Sequence, residues 1–195
     1  MEIIEDELAK DSPRREFAEI AKREVERIEK LVQEFVRFAR PPKLVQSLTN
    51  ANDLIESVIK LLQKQPEAQK VIVEKKMAND LPPVALDGEQ IEQVLLNLTL
   101  NALQAMPNGG TVIFRTSQTK DAVIIEVKDT GGGIPANVIK RIFDPFFTTK
   151  DKGSGLGLSV AHKIVAQHGG SLTVENIENG AVFTIKIPLA QSREN

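Results

Sequence analysis

The sequence contains no cysteine, no tryptophan, no tyrosine and only two histidines, His162 and His168. Without cysteine there is no disulfide framework and no thiolate metal site, and a zinc site would need carboxylates to complete it. That usage is compatible with a reducing, cytoplasmic setting. Phenylalanine is the only aromatic, so the stacking platforms on which nucleic-acid bases rest have little to draw on. Neither sign of charge dominates: 25 basic and 27 acidic side chains leave a formal charge of -2, which gives no general attraction to nucleic acid or to an anionic membrane surface. No apolar run approaches the roughly 18 residues of a membrane helix. Met1 leads straight into EIIEDELAKD with no signal-peptide core. The chain is expected to be soluble and to hold no membrane segment, any anchor of a parent protein lying before Met1.

What is present suits one globular core with an appendage, in 195 residues of which 41% are apolar. From Pro13 to Ala39 the chain is charged and glycine-free. Ala18, Ala21, Val25, Ile28, Val32, Phe35 and Ala39 recur there at alternating steps of three and four. This heptad seam predicts a long helix with Asp11 or Ser12 as N-cap and Pro13 in the first turn, ended by Arg40-Pro41-Pro42. Because two prolines separate the seam from everything globular, it reads as one arm of a helical hairpin or dimeric bundle rather than as a helix packed on its own domain. The expected division is residues 1–42 as part of a hairpin, 43–190 as the main domain and 191–195 as a tail.

Within the main domain KLVQSL alternates as a strand does, a helix runs from about Asn52 to Lys64 capped by Asn50 or Asn52, and VIVEKKM is a second strand. Asp87 to Met106 form the next helix, with Ile91, Val94, Leu95, Leu98, Ala102 and Ala105 on its buried side and the turn PNGG at its end. TVIFRTSQ and AVIIEVKD read as a hairpin, Leu156 to His168 as a helix stopped by Gly169-Gly170, and SLTVENI with AVFTIKIP as a second hairpin turning at ENG. Antiparallel strand pairs with helices between them predict an α+β fold, a two-layer sandwich of a mixed, mostly antiparallel sheet with helices on one face.

Three segments break the rules of a purely structural sequence. In NLTLNA, Asn97 and Asn101 lie four apart on one helical face within an apolar stretch, although asparagine is a poor helix former. Paired amide oxygens held this way suit Mg²⁺, a hard cation that shares its shell with phosphates and water; two solvated asparagines are the plainer alternative. In KDTGGGIP, a strand ends on the acidic Asp129 and three glycines follow, where the backbone turns tightly or admits something closely. Gly131, Gly133 and Ala136 match the dinucleotide fingerprint by spacing, but Pro135 and the long segment beyond it deny the helix that fingerprint needs. In GSGLGL, glycines approach a helix entrance whose unpaired N–H groups and dipole favour phosphate oxygens. The spacing is neither a Walker loop nor a Rossmann turn. Between the last two lies IFDPFFTTKDK, unpatterned but carrying Phe143, Phe146 and Phe147, which suits a docking lid. Together these describe a nucleotide site, in which Asp129 would accept a hydrogen bond from an exocyclic amine and so prefer adenine to guanine.

With these residues in place the chain resembles the catalytic and ATP-binding part of bacterial sensor histidine kinases, of the Bergerat fold shared with gyrase B, MutL and the large heat-shock ATPase chaperones. The likeness runs from about Pro13 to Leu189 and includes, in family order, the N box as NLTLNA, the first glycine box as DTGGGI, the F box as FDPFF and the second glycine box as GSGLGL. It implies ATP and Mg²⁺ as cofactors, with Asn101 as metal ligand and Asn97 nearby. It also implies that Asp129 reads the adenine amine, that Gly131, Gly133 and Ile134 shape the base pocket, and that Ser154, Gly155, Leu156, Gly157 and Leu158 hold the phosphates beneath the lid. Gyrase-like ATPases resemble this chain but carry a water-activating glutamate where it has Asn97, and an amide is no general base near neutral pH. The resemblance therefore implies transfer of the γ-phosphate to a protein nucleophile. Many such kinases carry a lysine or arginine three residues after the second asparagine. This chain has Gln104 there, leaving Lys150 and Lys152 in the lid as substitutes and making Asn97, Asn101 and Lys150 the catalytic set.

Residues 14–39 resemble the second helix of the family's dimerisation hairpin, while residues 1–10 resemble only the tail of the first, which bears the phosphorylated histidine. His162 and His168 fall elsewhere and read as structural, an imidazolium at His168 suiting the helix dipole. The resemblance thus implies a chain that donates phosphate to a histidine-bearing hairpin it does not contain, with a response regulator as partner of the full-length kinase and possible dimerisation through residues 14–39. An ATP-gated binding module, an anti-sigma-type serine kinase and, least favoured, a gyrase-like hydrolase are the competing readings.

Overall fold

A computed structural model describes residues 13–39, 43–63, 65–150 and 153–189. The chain divides into two compact units between Pro42 and Lys43. The described part of the first is one helix, α1 (Pro13–Ala39), as the heptad seam requires. Val25, Ile28, Val32 and Phe35 of that seam are all exposed, as are Phe17, Ile20 and Val36 beside it. Its expected caps at Asp11 or Ser12, its stop at Arg40-Pro41-Pro42, residues 1–10 and the tail 191–195 lie outside the described residues. No described helix is long and apolar enough to cross a membrane.

The second unit runs β1 (Ser47–Thr49), α2 (Ala51–Leu62), a 3₁₀ turn (Pro66–Lys70), β2 (Val71–Lys76), β3 (Val84–Leu86), α3 (Gly88–Ala105), β4 (Gly110–Gln118) and β5 (Ala122–Asp129). A 3₁₀ turn (Ile139–Arg141), α4 (Gly157–Gln167), β6 (Ser171–Ile177) and β7 (Gly180–Pro188) complete it. Five strands form the main sheet in the order β2-β4-β5-β7-β6, with β2 and β4 parallel and the other neighbours antiparallel. Period-two alternation sorts its faces. Phe114, Val127 and Phe183 stand in one cross-strand row, and Thr116, Ile125, Ile185 and Leu172 in the next; all are buried. The opposite face carries Arg115 paired with Glu126 at 3.6 Å, and Lys186 with Asp121 at 3.3 Å, and it stays half-buried or exposed. One covered face and one wet face define a two-layer α+β sandwich, as expected.

The covering layer is α2, α3 and α4, with α3 packed between the other two and against β4 and β5. Ile91, Val94, Leu95 and Leu98 of α3 are fully buried, each such side chain contributing about 1.5–3 kcal/mol by leaving water. Ala105, expected on this buried side, is exposed. The helix stops there and Met106, its C-cap, turns inward instead. KLVQSL yields only Ser47 and Leu48 of the three-residue β1. It pairs with β3, itself three residues long and too short to show a period in the sequence, so Val45 and Leu48 remain exposed. Asn50, of the two candidates, caps α2 by accepting the Asn52 N–H.

The entry to α3 is held by one residue. Asp87 caps the helix by accepting the Gln90 N–H at 3.2 Å and accepts the Val45 N–H at 3.0 Å. Its own N–H donates to His168 Nε2 at 2.9 Å. The other ring nitrogen, Nδ1, faces the Ile164 carbonyl at 2.8 Å. The histidine is structural, as expected, joining the end of α4 to the start of α3. Burial pushes the Asp87 pKa up, and the hydrogen bonds from the Val45 and Gln90 N–H groups and the Gln90 amide outweigh it, so the net value is lowered. A carboxyl lowered in the folded state contributes stability above its unfolded value, 3.8, and loses it as pH falls through the folded value. Thermal midpoints measured from neutral pH downward should fall more steeply below about pH 4 in the parent than in Asp87→Asn, which has nothing to protonate at that position.

Candidate nucleotide-binding site

Three segments meet beside α3. The helix places Asn97, Asn101 and Gln104 on one face, at steps of four and three. Asn97 Nδ2 donates to the Gly157 carbonyl at 3.1 Å, which ties α3 to the first residue of α4. A Cβ on Gly157 would lie 3.8 Å from the same amide, so the second glycine box rests directly on the N box. Asn101 Oδ1 accepts from Lys150 Nζ at 2.9 Å, and Gln104 Oε1 accepts from the same ammonium. Lys150 is exposed, and desolvation around its ammonium, which lies against two amides, lowers its pKa. Lys150 therefore reaches the position where Gln104 replaces a basic residue. Lys152, the other candidate, lies outside the described residues.

Asp129 is the last inward position of β5, in line with Val127 and Ile125, and is 5% exposed. Its Oδ1 accepts the Gly131 N–H at 2.8 Å and the Ala181 N–H at 3.4 Å. Oδ2 takes no hydrogen bond among the described residues and is left as an acceptor. The glycines after it have separate reasons. A side chain on Gly131 would strike Ala105 at the end of α3, whereas Gly132 and Gly133 adopt φ of 83° and 81°, backbone that side chains rarely accept. Nothing stands within 4 Å of a Cβ at Gly132, so the loop opens there. Ile134 closes it, bonded through both its N–H and its carbonyl to Asn176.

The segment before α4 is neither helix nor strand, as its missing period implied. It holds the 3₁₀ turn Ile139–Arg141 and buries Ile142. Phe143 lies 5.1 Å from the exposed His162 ring, and the Arg141 guanidinium stands 4.6 Å over Phe147. Phe146 holds a φ of 65°, and its carbonyl occupies the space a Gly155 side chain would need. Leu156 is buried, with its N–H on Ser154 Oγ, while Gly157 and Leu158 open α4 without any side-chain N-cap. Among the described residues no side chain takes the N–H groups of that first turn, the arrangement by which a helix entrance accepts an anion. Among the described residues no three His, Cys, Asp or Glu side chains gather to hold a metal. A cation here must draw on amide and ligand oxygens, and the donor set fits: Asn101 Oδ1 already bonds a cation, the Lys150 ammonium.

The sequence reading missed the part played by the β6–β7 turn. Asn176 and Ala181 bond the first glycine box, and Gly180 lies against the Asp129 carbonyl where no Cβ fits. One signal was available, an asparagine near the end of a strand that disfavours it.

Fold and site together define a nucleotide-binding catalytic domain. Residues 86–191 match the histidine kinase-, DNA gyrase B-, and HSP90-like ATPase family. Sporulation kinase E of Bacillus subtilis is 35% identical over 173 residues, 88% of this chain and 23% of that protein. The catalytic domain of histidine kinase ThkA superposes with a TM-score of 0.67 at 35% identity, covering 75% of this chain and 98% of that one. ThkA in complex with the response regulator protein TrrA gives a TM-score of 0.77 at 31% identity, over 93% of this chain and 53% of the other. The chain belongs to this ATPase family and carries the ATP-binding catalytic domain of its sensor histidine kinases, while spanning under a quarter of the length of sporulation kinase E. Because Gly180 has backbone against it, Gly180→Ala should cost about 1–3 kcal/mol of unfolding free energy in urea titrations, and nucleotide binding should weaken with it as Asp129 is displaced.

Proposed function

We propose that this chain passes the γ-phosphate of ATP to a histidine on a helical hairpin outside it, as the phosphate-donating module of a two-component kinase. The observation that carries the reading is that α3 joins both phosphate-side segments, through Asn97 to α4 and through Asn101 to the lid lysine. Asp129 Oδ2 accepts the adenine amine, and Gly131, Gly133 and Ile134 form the wall beside it. The N–H groups from Gly155 to Leu158, with Ser154, hold phosphate oxygens. Asn101 Oδ1 would hold Mg²⁺, which would neutralise phosphate charge. In transfer the unprotonated imidazole nitrogen of the acceptor forms a bond to γ-phosphorus as the bridging P–O bond breaks and ADP leaves, and the proton on the other ring nitrogen passes to solvent water. Lys150 Nζ, already at the N box, balances negative charge on the moving phosphoryl group, and Lys152 adds to it.

Asn97 cannot take a proton from water, which favours a protein acceptor over hydrolysis. Neither histidine of this chain suits that role. His168 is buried with Nε2 committed to Asp87, and His162 lies against Phe143 of the lid. The acceptor hairpin and a response regulator are the partners this reading assigns, with α1 as a pairing surface for the hairpin or a second copy. Nucleic acid has no part in it.

Titration calorimetry with ATP, with and without Mg²⁺, and a labelling assay with a supplied acceptor hairpin test the proposal. Asn101→Ala should abolish the magnesium dependence of binding, and Asp129→Asn should remove the preference for adenine over guanine nucleotides. Lys150→Ala should bind ATP within a few-fold of the parent yet slow transfer by about 10²–10³. The hairpin histidine should be labelled and the chain itself never; self-labelling overturns the reading.

A further inference from the structure

We propose that Asn176 is a positioning residue for nucleotide selection, holding the Gly131–Ile134 loop in the shape that reads the base. The inference rests on the nucleotide reading above and adds to it a residue on a different hairpin. Asn176 Oδ1 accepts the Ile134 N–H at 2.8 Å, and Asn176 Nδ2 donates to the Ile134 carbonyl at 2.7 Å. One side chain thus satisfies both backbone groups of a single loop residue, as a neighbouring strand would. The pairing also fixes the amide orientation, because a flipped amide would set nitrogen against N–H and oxygen against carbonyl.

The loop has little else to define it. Three successive glycines, two of them at positive φ, bring almost no conformational preference of their own. At its start Asp129 Oδ1 holds the Gly131 N–H. In its middle Gly132 N–H reaches the Asn179 carbonyl only at 3.4 Å, and at its end stands the Asn176 pair. The same β6–β7 turn supplies the Ala181 N–H that orients the Asp129 carboxylate. Both ends of the loop are therefore referenced to one hairpin turn, and Asn176 is the only side chain of that turn bonded to it among the described residues. A side chain on Gly133 would lie 3.0 Å from Asn176 Oδ1, so loop and asparagine are in direct contact.

The test uses the whole chain with ADP and GDP as probes, comparing the parent with Asn176→Ala and Asn176→Asp. Asparagine and aspartate have the same shape, but a carboxylate cannot donate to the Ile134 carbonyl and repels it. If the double hydrogen bond sets the loop, both variants should bind ADP about 10-fold more weakly, and the ADP-to-GDP affinity ratio should shrink. The thermal midpoint without nucleotide should change little. The inference is overturned if Asn176→Asp binds like the parent. It is also overturned if ADP and GDP affinities fall in parallel with the midpoint, since that is general destabilisation. A parent chain that binds neither probe sinks the nucleotide reading itself, an outcome distinct from a parent that binds and variants that match it.

Discussion

A carboxylate on the covered face of a sheet must be given donors, and the way Asp129 obtains them organises the rest of this domain. Alternation along β5 sends Val123, Ile125 and Val127 into the core and leaves Asp129 as the next inward position, at the strand end. An unpaired charge there would be costly. The chain meets that demand by turning back at Gly131, so that its N–H reaches Oδ1, and by bringing Ala181 of β7 to the same oxygen. The first connection requires a residue without a side chain beside Ala105; the second requires Gly180 without one beside the Asp129 carbonyl. A glycine-rich loop and a tight hairpin thus follow from one buried carboxylate whose second oxygen takes no hydrogen bond among the described residues.

Helix α3 plays the complementary part. Its apolar side is sealed against α2, α4 and the sheet, which fixes the rotation at which Asn97, Asn101 and Gln104 emerge. Its N-terminus is locked by Asp87 to the segment after Pro42 and, through His168, to the far end of α4. Helix α4 is therefore held to α3 at both ends, by His168 at its C-terminus and by the Asn97 amide at Gly157. The N–H groups that open α4 are thus presented from a helix fixed at both ends.

How much of this the sequence discloses depends on the range of each contact. The β4–β5 and β6–β7 hairpins, α3 and α4 were legible because their periods persist over many residues. NLTLNA, DTGGG and GSGLGL stood out as well, because asparagines and glycines lay where a fold alone would not place them, and the structure brings the three segments together. The β1–β3 pair was illegible: three residues show no period, and pairing across almost forty positions leaves no local mark. Asn176 was hidden for the same reason, since its partner Ile134 lies 42 residues away. The role of Asp87 as a joint between two helices and the segment after Pro42 left no mark in the sequence, where it stands only as the first residue of the expected helix. Lys150, by contrast, was singled out through an absence, the missing basic residue at 104, and the structure places it against Asn101 and Gln104.

The position of Lys150 carries the argument one step further into mechanism. Its ammonium bonds the amide oxygen assigned to the metal, and two cations cannot share one oxygen at close range without strong repulsion in a partly desolvated site. On the proposed function, a divalent ion held by Asn101 would compete with the Lys150 ammonium for that oxygen, and Gln104 would remain as the lysine's anchor. The negative charge that arrives with the ion, on the phosphates, is the natural new partner for that ammonium. Metal loading and the placement of the lid lysine are then a single exchange of partners on one face of α3. A helix face bearing amides rather than charges suits that exchange, since an amide oxygen accepts from either cation without a fixed charge that would hold one of them too tightly to leave.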